Sequence, residues 1–351
     1  MGDSPLLPLE PRGEPRYPAH EGRPSPGPDS GSVAYGRMPR GEWIHHLRRF
    51  AFMPNATVNQ LCGLVLALAA GALAGCAGGL RVIEHPSPNH DDRVRFLVLH
   101  YTGGDFDRAL QLLTDGSAPP RVSEHYLISA PGDPAGRPQV YRLVDESRRA
   151  WHAGVSQWQG RTGLNDTSIG IEIVYRPDCA DKEAASANSE CVYPDFPPAQ
   201  IATLVQLAQA VLARHPQIEP TGVVGHSDIA PDRKLDPGPR FPWQTLHQAG
   251  IGAWYDDADV ARFSARLQGQ PLSLSLLQDA LAAYGYDIAV SGVHDPATRD
   301  VLSAFRAHFL PEHTGAEADV RTTAIALALL RKYQPAALEV LAGRYAIDLG
   351  D

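Results

Sequence analysis

Two short apolar segments, each ending in a histidine, constrain this fold more than any other feature of the sequence. The first, RVRFLVLH at 93–100, alternates at its start and then becomes fully apolar, which predicts a strand buried on both faces near its end. A Gly-Gly pair follows, so His100 lies at a strand end, either as a metal ligand or as a satisfied polar terminus. The second segment, TGVVGH at 221–226, predicts a shorter strand that ends in His226.

Five further elements are predicted between these two histidines. The helix at 198–215 has the clearest pattern, because its apolar residues recur at i, i+3 and i+4 spacing and it stops before a proline. The other four are a short amphipathic helix at 105–114 and strands at 122–129, 138–144 and 168–175.

The strand at 168–175 carries a carboxylate in its middle. Three isoleucines alternate on one face, which places Glu172 on the other. Burial of a carboxylate is costly unless the group has a partner or a chemical role. The alternative is a strand with one face in water, on which Glu172 is only solvated.

The stretch GHSDIAPDRKLDPG at 225–238 holds most of the candidate chemistry. Its two prolines and terminal glycine predict a fixed loop rather than a helix. The loop brings together His226, Lys234 and Asp236. With His100, the histidine and aspartate supply three protein ligands and leave one position open, as a catalytic zinc site requires, whereas a structural site would have four.

Four motifs carry a resemblance to a known family. They are VLHYTGG, WHAGVSQWQGR, NDTSIGIEIV and GHSDIAPDRKLDPG, in this order between 98 and 238. Together they resemble the N-acetylmuramoyl-L-alanine amidases of the type 2 fold, and within it the AmpD/AmiD branch. The resemblance implies an α+β fold, with a mixed central β-sheet flanked by helices as in peptidoglycan-recognition proteins. It also implies hydrolysis of the amide between the lactyl group of N-acetylmuramic acid and L-alanine in peptidoglycan or muropeptides.

The matching positions imply specific roles. One Zn²⁺ per chain would be held by His100, His226 and Asp236, and Glu172 and Lys234 would be catalytic.

Four more positions match the family's substrate groove, namely Trp151, His152, Trp158 and Asn165. By the resemblance, His152 contacts the muropeptide, and a structural loop histidine is the alternative. Trp158 is either groove wall or core.

The pattern of the first ninety residues indicates a signal for export rather than a folded domain. Residues 1–52 are rich in Pro, Gly, Ser and charge, which predicts a disordered or over-extended N-terminus. Residues 53–76 resemble a lipoprotein signal peptide, with basic residues before a short apolar run that ends in Leu-Ala-Gly-Cys. A short transmembrane or buried helix is the alternative. Residues 77–90 are a linker.

Lipidation of Cys76 would anchor the chain to a membrane, and Ala77 after it favours the periplasmic face of the outer membrane by the enterobacterial sorting rules. In that oxidising compartment Cys179 and Cys191 can form a disulfide, with two free thiols as the alternative.

The last part of the chain, 255–345, has a purely helical pattern after the amidase domain at 91–252. Three helices are predicted, at 272–286, from the N-cap Asp295 onward, and at 320–333. The segment resembles a peptidoglycan-binding module through Gly292, Asp295, Thr298 and Phe305, but Arg306 stands where glutamine is usual. It therefore either binds peptidoglycan or docks on the amidase domain.

The net charge of −9 argues against a nucleic-acid partner, because phosphate binding needs a basic face. Three other functions compete with the amidase: a non-catalytic recognition protein on the same fold, a zinc peptidase, and a structural tether of the wall. No HExxH motif supports the peptidase. We expect a monomer.

Overall fold

The computed structural model describes residues 83–117, 119, 121–132, 137–179 and 191–349. The predicted signal segment and Cys76 lie outside these ranges, so lipidation stays a prediction. Within them, no helix combines the length and the apolar character needed to cross a membrane.

A β-sheet lies at the centre of the fold, and its apolar residues belong to the main core. Within the described ranges the strands are β1 (Phe96–Tyr101), β2 (Tyr126–Ile128), β3 (Val140–Arg142), β4 (Gln157–Trp158), β5 (Arg161–Thr162), β6 (Ser168–Ile173), β7 (Asp178–Cys179), β8 (Cys191–Val192) and β9 (Val223–Gly225). Five of them form one sheet in the order β3-β2-β6-β1-β9. All neighbours are parallel except β2 and β3, which are antiparallel, so the predicted mixed sheet is confirmed.

The parallel register explains why distant residues meet. His100 on β1 pairs directly with Glu172 on β6, and β9 runs parallel on the other side of β1. The carboxyl ends of parallel strands lie at one edge of a sheet, where ligands bind in open α/β sheets. His226 follows the last residue of β9 and therefore reaches the same edge as the other two residues.

Helices cover the sheet and continue beyond it. They are α1 (Phe106–Thr114), α2 (Pro198–Arg214), α3 (His226–Ile229), α4 (Trp243–Gln248), α5 (Asp257–Leu267), α6 (Leu274–Tyr284), α7 (Pro296–Phe309), α8 (Val320–Tyr333) and α9 (Pro335–Tyr345). The buried apolar stripe of α2 enters the main core, and α1 packs in a smaller cluster with Leu127 and Val174. The sheet is thus flanked by helices, as expected.

One prediction for the stretch 225–238 is wrong, because it contains the short helix α3 rather than loop alone. The helix forms because the side chain of Asp228 accepts a hydrogen bond from the backbone N–H of Gly225, at 2.7 Å. This bond satisfies a donor at the start of the helix, which ends two residues before Pro231.

The three predicted C-terminal helices are present as α6, α7 and α8, and two more, α5 and α9, flank them. Residues 324–330 of α8 are all fully buried, which makes α8 the central helix of this group. The added helices bury only two apolar residues each, so their sequence pattern is weak. All five share one apolar core cluster with the sheet, and the predicted limits at 252 and 255 stay a prediction.

The predicted link between Cys179 and Cys191 is present as a disulfide, which joins the paired strands β7 and β8.

Candidate metal centre

Three ligand atoms converge at the carboxyl edge of the sheet. The Nδ1 atoms of His100 and His226 are 3.0 Å apart, and each lies 3.1 Å from Oδ2 of Asp236. All three side chains are buried. The backbone N–H of Ser227 donates to the carbonyl of Asp236 at 2.8 Å, which brings the two ends of the 226–236 segment together.

The second ring nitrogen of each histidine, Nε2, faces away from the three converging atoms and has a hydrogen-bond partner of its own. Nε2 of His100 lies 3.0 Å from Nδ1 of His152, and Nε2 of His226 lies 3.3 Å from the carbonyl of Ala153. A carbonyl only accepts, so Nε2 of His226 donates to it. Burial and the neighbouring His226 together lower the pKa of His100 to about 4, so this ring is neutral at neutral pH.

A divalent cation fits this donor set. Two imidazole nitrogens and one carboxylate oxygen face one another, and a cation would accept a lone pair from each of the three. Zn–N and Zn–O bonds of ~2.0 Å in a tetrahedron place ligand atoms roughly 3.3 Å apart, close to the observed 3.0–3.1 Å. Burial opposes ionisation of Asp236, but the imidazoles of His226 and His100 outweigh it and hold its pKa well below the usual range.

His152 continues the chain of hydrogen bonds behind His100. Its Nε2 lies 3.0 Å from Oγ of Ser168, whose hydroxyl donates to the carbonyl of Leu164 at 2.6 Å. Both ring nitrogens of His152 are therefore engaged, and burial lowers its pKa well below the usual value. These bonds give His152 a structural role in orienting His100. Because His152 also lines the cavity beside the metal ligands, its predicted contact with the muropeptide stays a prediction.

Two other predicted substrate residues also lie behind the site. Oδ1 of Asn165 accepts hydrogen bonds from the backbone N–H groups of His152 and Ala153, at 2.9 and 2.7 Å, and so holds that segment in place. Trp158 is only 1% exposed, and its indole donates to the carbonyl of Thr221 at 2.9 Å. Trp158 therefore belongs to the core, not to a groove wall.

The ligands line a cavity of about 200 Å³ that opens to solvent beside Trp151. The indole of Trp151 is 48% exposed, unlike Trp158. Leu112 and Leu113 on α1 form an apolar wall, and the half-buried Lys234 contributes a positive charge. Of the four predicted groove residues, Trp151 and His152 line this cavity, and Trp151 lies on its open rim.

Glu172 lies inside the cavity and is 9% exposed, so the alternative of a solvated carboxylate is wrong. Burial and the charge of Asp236 together raise the pKa of Glu172 to about 8, although the charge of Lys234 opposes the shift. This carboxyl group therefore exchanges a proton close to neutral pH.

A second buried carboxyl group, Glu124, was missed by the sequence reasoning. Burial raises the pKa of Glu124 well above the usual range, and the charges of Glu172 and Asp236 raise it further, so it is protonated and hydrogen-bonds Glu172. A methyl group at Gly170 would lie 2.1 Å from Oε2 of Glu124, which explains the glycine there. A charged residue inside the apolar run VSEHYLIS is the signal that identifies it.

Glu124 also completes a second trio, with His100 and His152, whose ligand atoms lie close enough for a metal. It fits less well than the first. Nε2 of His100 already donates to His152 and is 3.6 Å from Glu124, whose carboxyl is protonated. Among the atoms described, Oε2 of Glu124 has no hydrogen-bond partner. Ionisation of Glu124 would therefore leave a buried, charged oxygen unsatisfied.

Arg306, the departure from the peptidoglycan-binding pattern, is 4% exposed. Its guanidinium donates to the carbonyls of His313 and Glu317 and to the carboxylate of Asp319, at 2.8 to 3.0 Å. Its role is therefore to fix the loop before α8.

Known proteins match the part of the chain that carries the site. Residues 90–239 match the family described as N-acetylmuramoyl-L-alanine amidase. The N-acetylmuramoyl-L-alanine amidase AmiD of Escherichia coli (strain K12) is 44% identical over 279 residues, covering 76% of this chain and 97% of that protein. The 1,6-anhydro-N-acetylmuramyl-L-alanine amidase AmpD of Enterobacter cloacae is 37% identical over 177 residues, 46% of this chain and 86% of that protein.

Solved structures extend the similarity to the fold. AmpDh3 from Pseudomonas aeruginosa, in complex with anhydromuramic pentapeptide, matches with a TM-score of 0.65 at 44% identity, over 73% of this chain and 99% of that chain. AmiD from E. coli, in complex with anhydro-N-acetylmuramic acid-L-Ala-D-gamma-Glu-L-Lys, matches with a TM-score of 0.61 at 44% identity, over 71% of this chain and 93% of that chain.

Proposed function

This chain belongs to the N-acetylmuramoyl-L-alanine amidase family and is such an amidase, and we propose that it works with one zinc ion held by His100, His226 and Asp236. The observation that carries the proposal is the convergence of two imidazole nitrogens and one carboxylate oxygen, 3.0–3.1 Å apart, beside the buried carboxyl group of Glu172. When bound, zinc would polarise the carbonyl of the scissile amide and lower the pKa of a water toward ~7.

Glu172 carries the proton in the proposed reaction. Its carboxylate takes a proton from the attacking water and returns it to the nitrogen of L-alanine as the amide bond breaks. The products are the free carboxylic acid of the lactyl group and the amine of the peptide. Glu124 donates a hydrogen bond to Glu172 and keeps that carboxyl in place. The ammonium group of Lys234, on the cavity wall, stabilises the negative charge that develops on the carbonyl oxygen.

The substrates that we propose are muropeptides that carry a stem peptide on the lactyl group, including those with a 1,6-anhydro sugar. AmiD of E. coli and AmpDh3 of P. aeruginosa, both solved with anhydromuramyl peptides, support this. The exposed indole of Trp151 offers an apolar surface at the cavity mouth for the sugar ring or the peptide.

We also propose that the chain works from the periplasmic face of the outer membrane, anchored through a lipid on Cys76. The apolar run that ends in Leu-Ala-Gly-Cys supports this. Substitution of Cys76→Ser should release the protein from the membrane fraction of cells and remove the lipid mass from its mature N-terminus. Unchanged membrane association of that variant would contradict the anchor.

The reaction is tested on purified protein with a muropeptide of defined mass. We expect a peptide with a free L-alanine amine and a peptide-free muramyl sugar, no products after zinc is removed with a chelator, and products again when zinc is returned. Asp236→Ala should lose zinc and activity, whereas Asp232→Ala, an exposed aspartate of the same segment, should retain both. Turnover that survives complete removal of metal would refute the zinc mechanism.

A further inference from the structure

A buried aspartate connects the C-terminal helices to the metal site. Asp228 lies in α3, two residues after the ligand His226, and is 1% exposed. The hydroxyl of Tyr286 donates to its Oδ1 at 2.6 Å, and Nδ1 of His308 lies 2.8 Å from its Oδ2. Both donors come from the segment after residue 255. We propose that Tyr286 and His308 are positioning residues for zinc, which act on His226 through Asp228.

The carboxylate of Asp228 holds the backbone on both sides of His226. Besides the two side-chain donors, it accepts the backbone N–H of Gly225, the residue that directly precedes His226, at 2.7 Å. All three bonds are short, as expected for a charged acceptor. A helix of only four residues, the length of α3, is not stable by itself. The position of His226 therefore depends on what holds Asp228.

The two donors are themselves held rigidly. The ring of His308 is stacked between those of Trp243 and Phe309, with centroids 3.8 and 3.9 Å away and interplanar angles of 13° and 9°. The ring of Tyr286 packs edge-on against the indole of Trp158, with centroids 4.8 Å apart. These contacts place both donors before any metal binds.

This arrangement bears on whether the C-terminal helices bind peptidoglycan or dock on the amidase domain. The side chains of Tyr286 and His308 are buried against the metal-site segment, so this face of the helices serves the site itself. Since the three ligand atoms are 3.0–3.1 Å apart, a shift of His226 by ~1 Å would remove one ligand from the set. The inference rests on the proposed zinc site and assigns the C-terminal segment a role in supporting it.

Two isosteric substitutions in the full chain test the inference. Tyr286→Phe removes only the hydroxyl, and His308→Phe keeps a ring stacked between its neighbours while removing the donor. Tyr333→Phe is the matched control, because its half-buried hydroxyl bonds the backbone of Trp254 at 3.1 Å and does not contact Asp228. Zinc affinity is measured by competition with a chromophoric chelator, and folding by the thermal midpoint of the metal-free protein.

We expect Tyr286→Phe and His308→Phe each to weaken zinc binding by ~10-fold, the lower end seen for residues that support metal ligands, with the control unchanged. If one variant does not fold, the other decides. Wild-type zinc affinity in folded Tyr286→Phe or His308→Phe, or an equal loss in the Tyr333→Phe control, would overturn the inference and leave the zinc mechanism intact. A wild-type chain that binds no zinc would overturn both.

Discussion

His152→Ala removes the acceptor that orients the first zinc ligand. In the structure, Nε2 of His100 lies 3.0 Å from Nδ1 of His152, inside a site where both side chains are buried. After the substitution, the N–H of His100 faces a cavity without a hydrogen-bond partner. Its ring is then free to rotate away from the direction in which Nδ1 faces His226 and Asp236.

The size of this effect can be worked out in two ways. A buried donor that loses its partner costs about 1–3 kcal/mol, and each 1.36 kcal/mol is a factor of ten in an equilibrium constant. Substitution of residues that support metal ligands weakens metal binding by roughly 10- to 100-fold. The two agree, so we expect zinc to bind His152→Ala about 10- to 100-fold more weakly than the wild type.

Zinc affinity is again measured by chelator competition, with Ser168→Ala as the control. That control disturbs only the far end of the hydrogen-bond chain, and we expect its zinc affinity to fall less than tenfold. Wild-type zinc affinity in His152→Ala, together with a raised KM for muropeptides, would refute the positioning role and favour the predicted substrate contact.

Three further predictions concern the buried carboxyl groups of Glu172 and Glu124 and the half-buried one of Glu146. Glu172→Gln should retain zinc and lose ~10²–10⁴-fold in kcat, because proton transfer is lost; near-normal turnover of muropeptides would exclude Glu172 as the base. Glu124→Gln, which still donates a hydrogen bond to Glu172, should stay within a few-fold of wild-type kcat, whereas Glu124→Leu should lose ~10-fold; equal rates in both variants would contradict this role. Burial opposes ionisation of Glu146, but hydrogen bonds from Arg214 and Tyr126 outweigh it and lower its pKa to about 2. Because the folded pKa is depressed, this stabilisation is present above pH ~4.5 and disappears as the pH falls through ~2. Glu146→Gln should therefore lower the free energy of unfolding at pH 7 by roughly 2–3 kcal/mol and by much less near pH 2, measured by denaturant titration.

The sheet and the candidate metal ligands were predictable from the sequence. Apolar runs that end in His100 and His226 predict buried strands, and the structure adds that β1 and β9 are parallel neighbours. Parallel pairing brings their ends together, which the pattern of a single strand cannot reveal. The motifs indicated that these strand ends lie together, because their order and spacing resemble a family in which the ends meet.

Residues that support the site were harder to predict. His152 and Asn165 match the family motif, but only the fold shows that both ring nitrogens of His152 are engaged and that Asn165 holds its backbone. Glu124 precedes β2, and its partner Glu172 comes from a different strand, so no local pattern connects them.

The link between the C-terminal helices and α3 also depends on contacts that are distant in the sequence. Asp228 and His308 are separated by 80 residues, and a carboxylate inside a loop motif is usually taken as exposed. The carboxylate of Asp228 can be buried because Tyr286 and His308 donate hydrogen bonds to its two oxygens. Such a pairing can be seen only after both segments have folded.

The position of the metal tests the central claim most directly. We propose that a crystal of the zinc-loaded protein, measured at the zinc absorption edge, will show one anomalous peak bonded to Nδ1 of His100, Nδ1 of His226 and Oδ2 of Asp236. The second trio shares His100 but uses its other ring nitrogen, Nε2, so the two sites are easily distinguished. A peak at Nε2 of His100, between Glu124 and His152, or no peak in this cavity, would contradict the account.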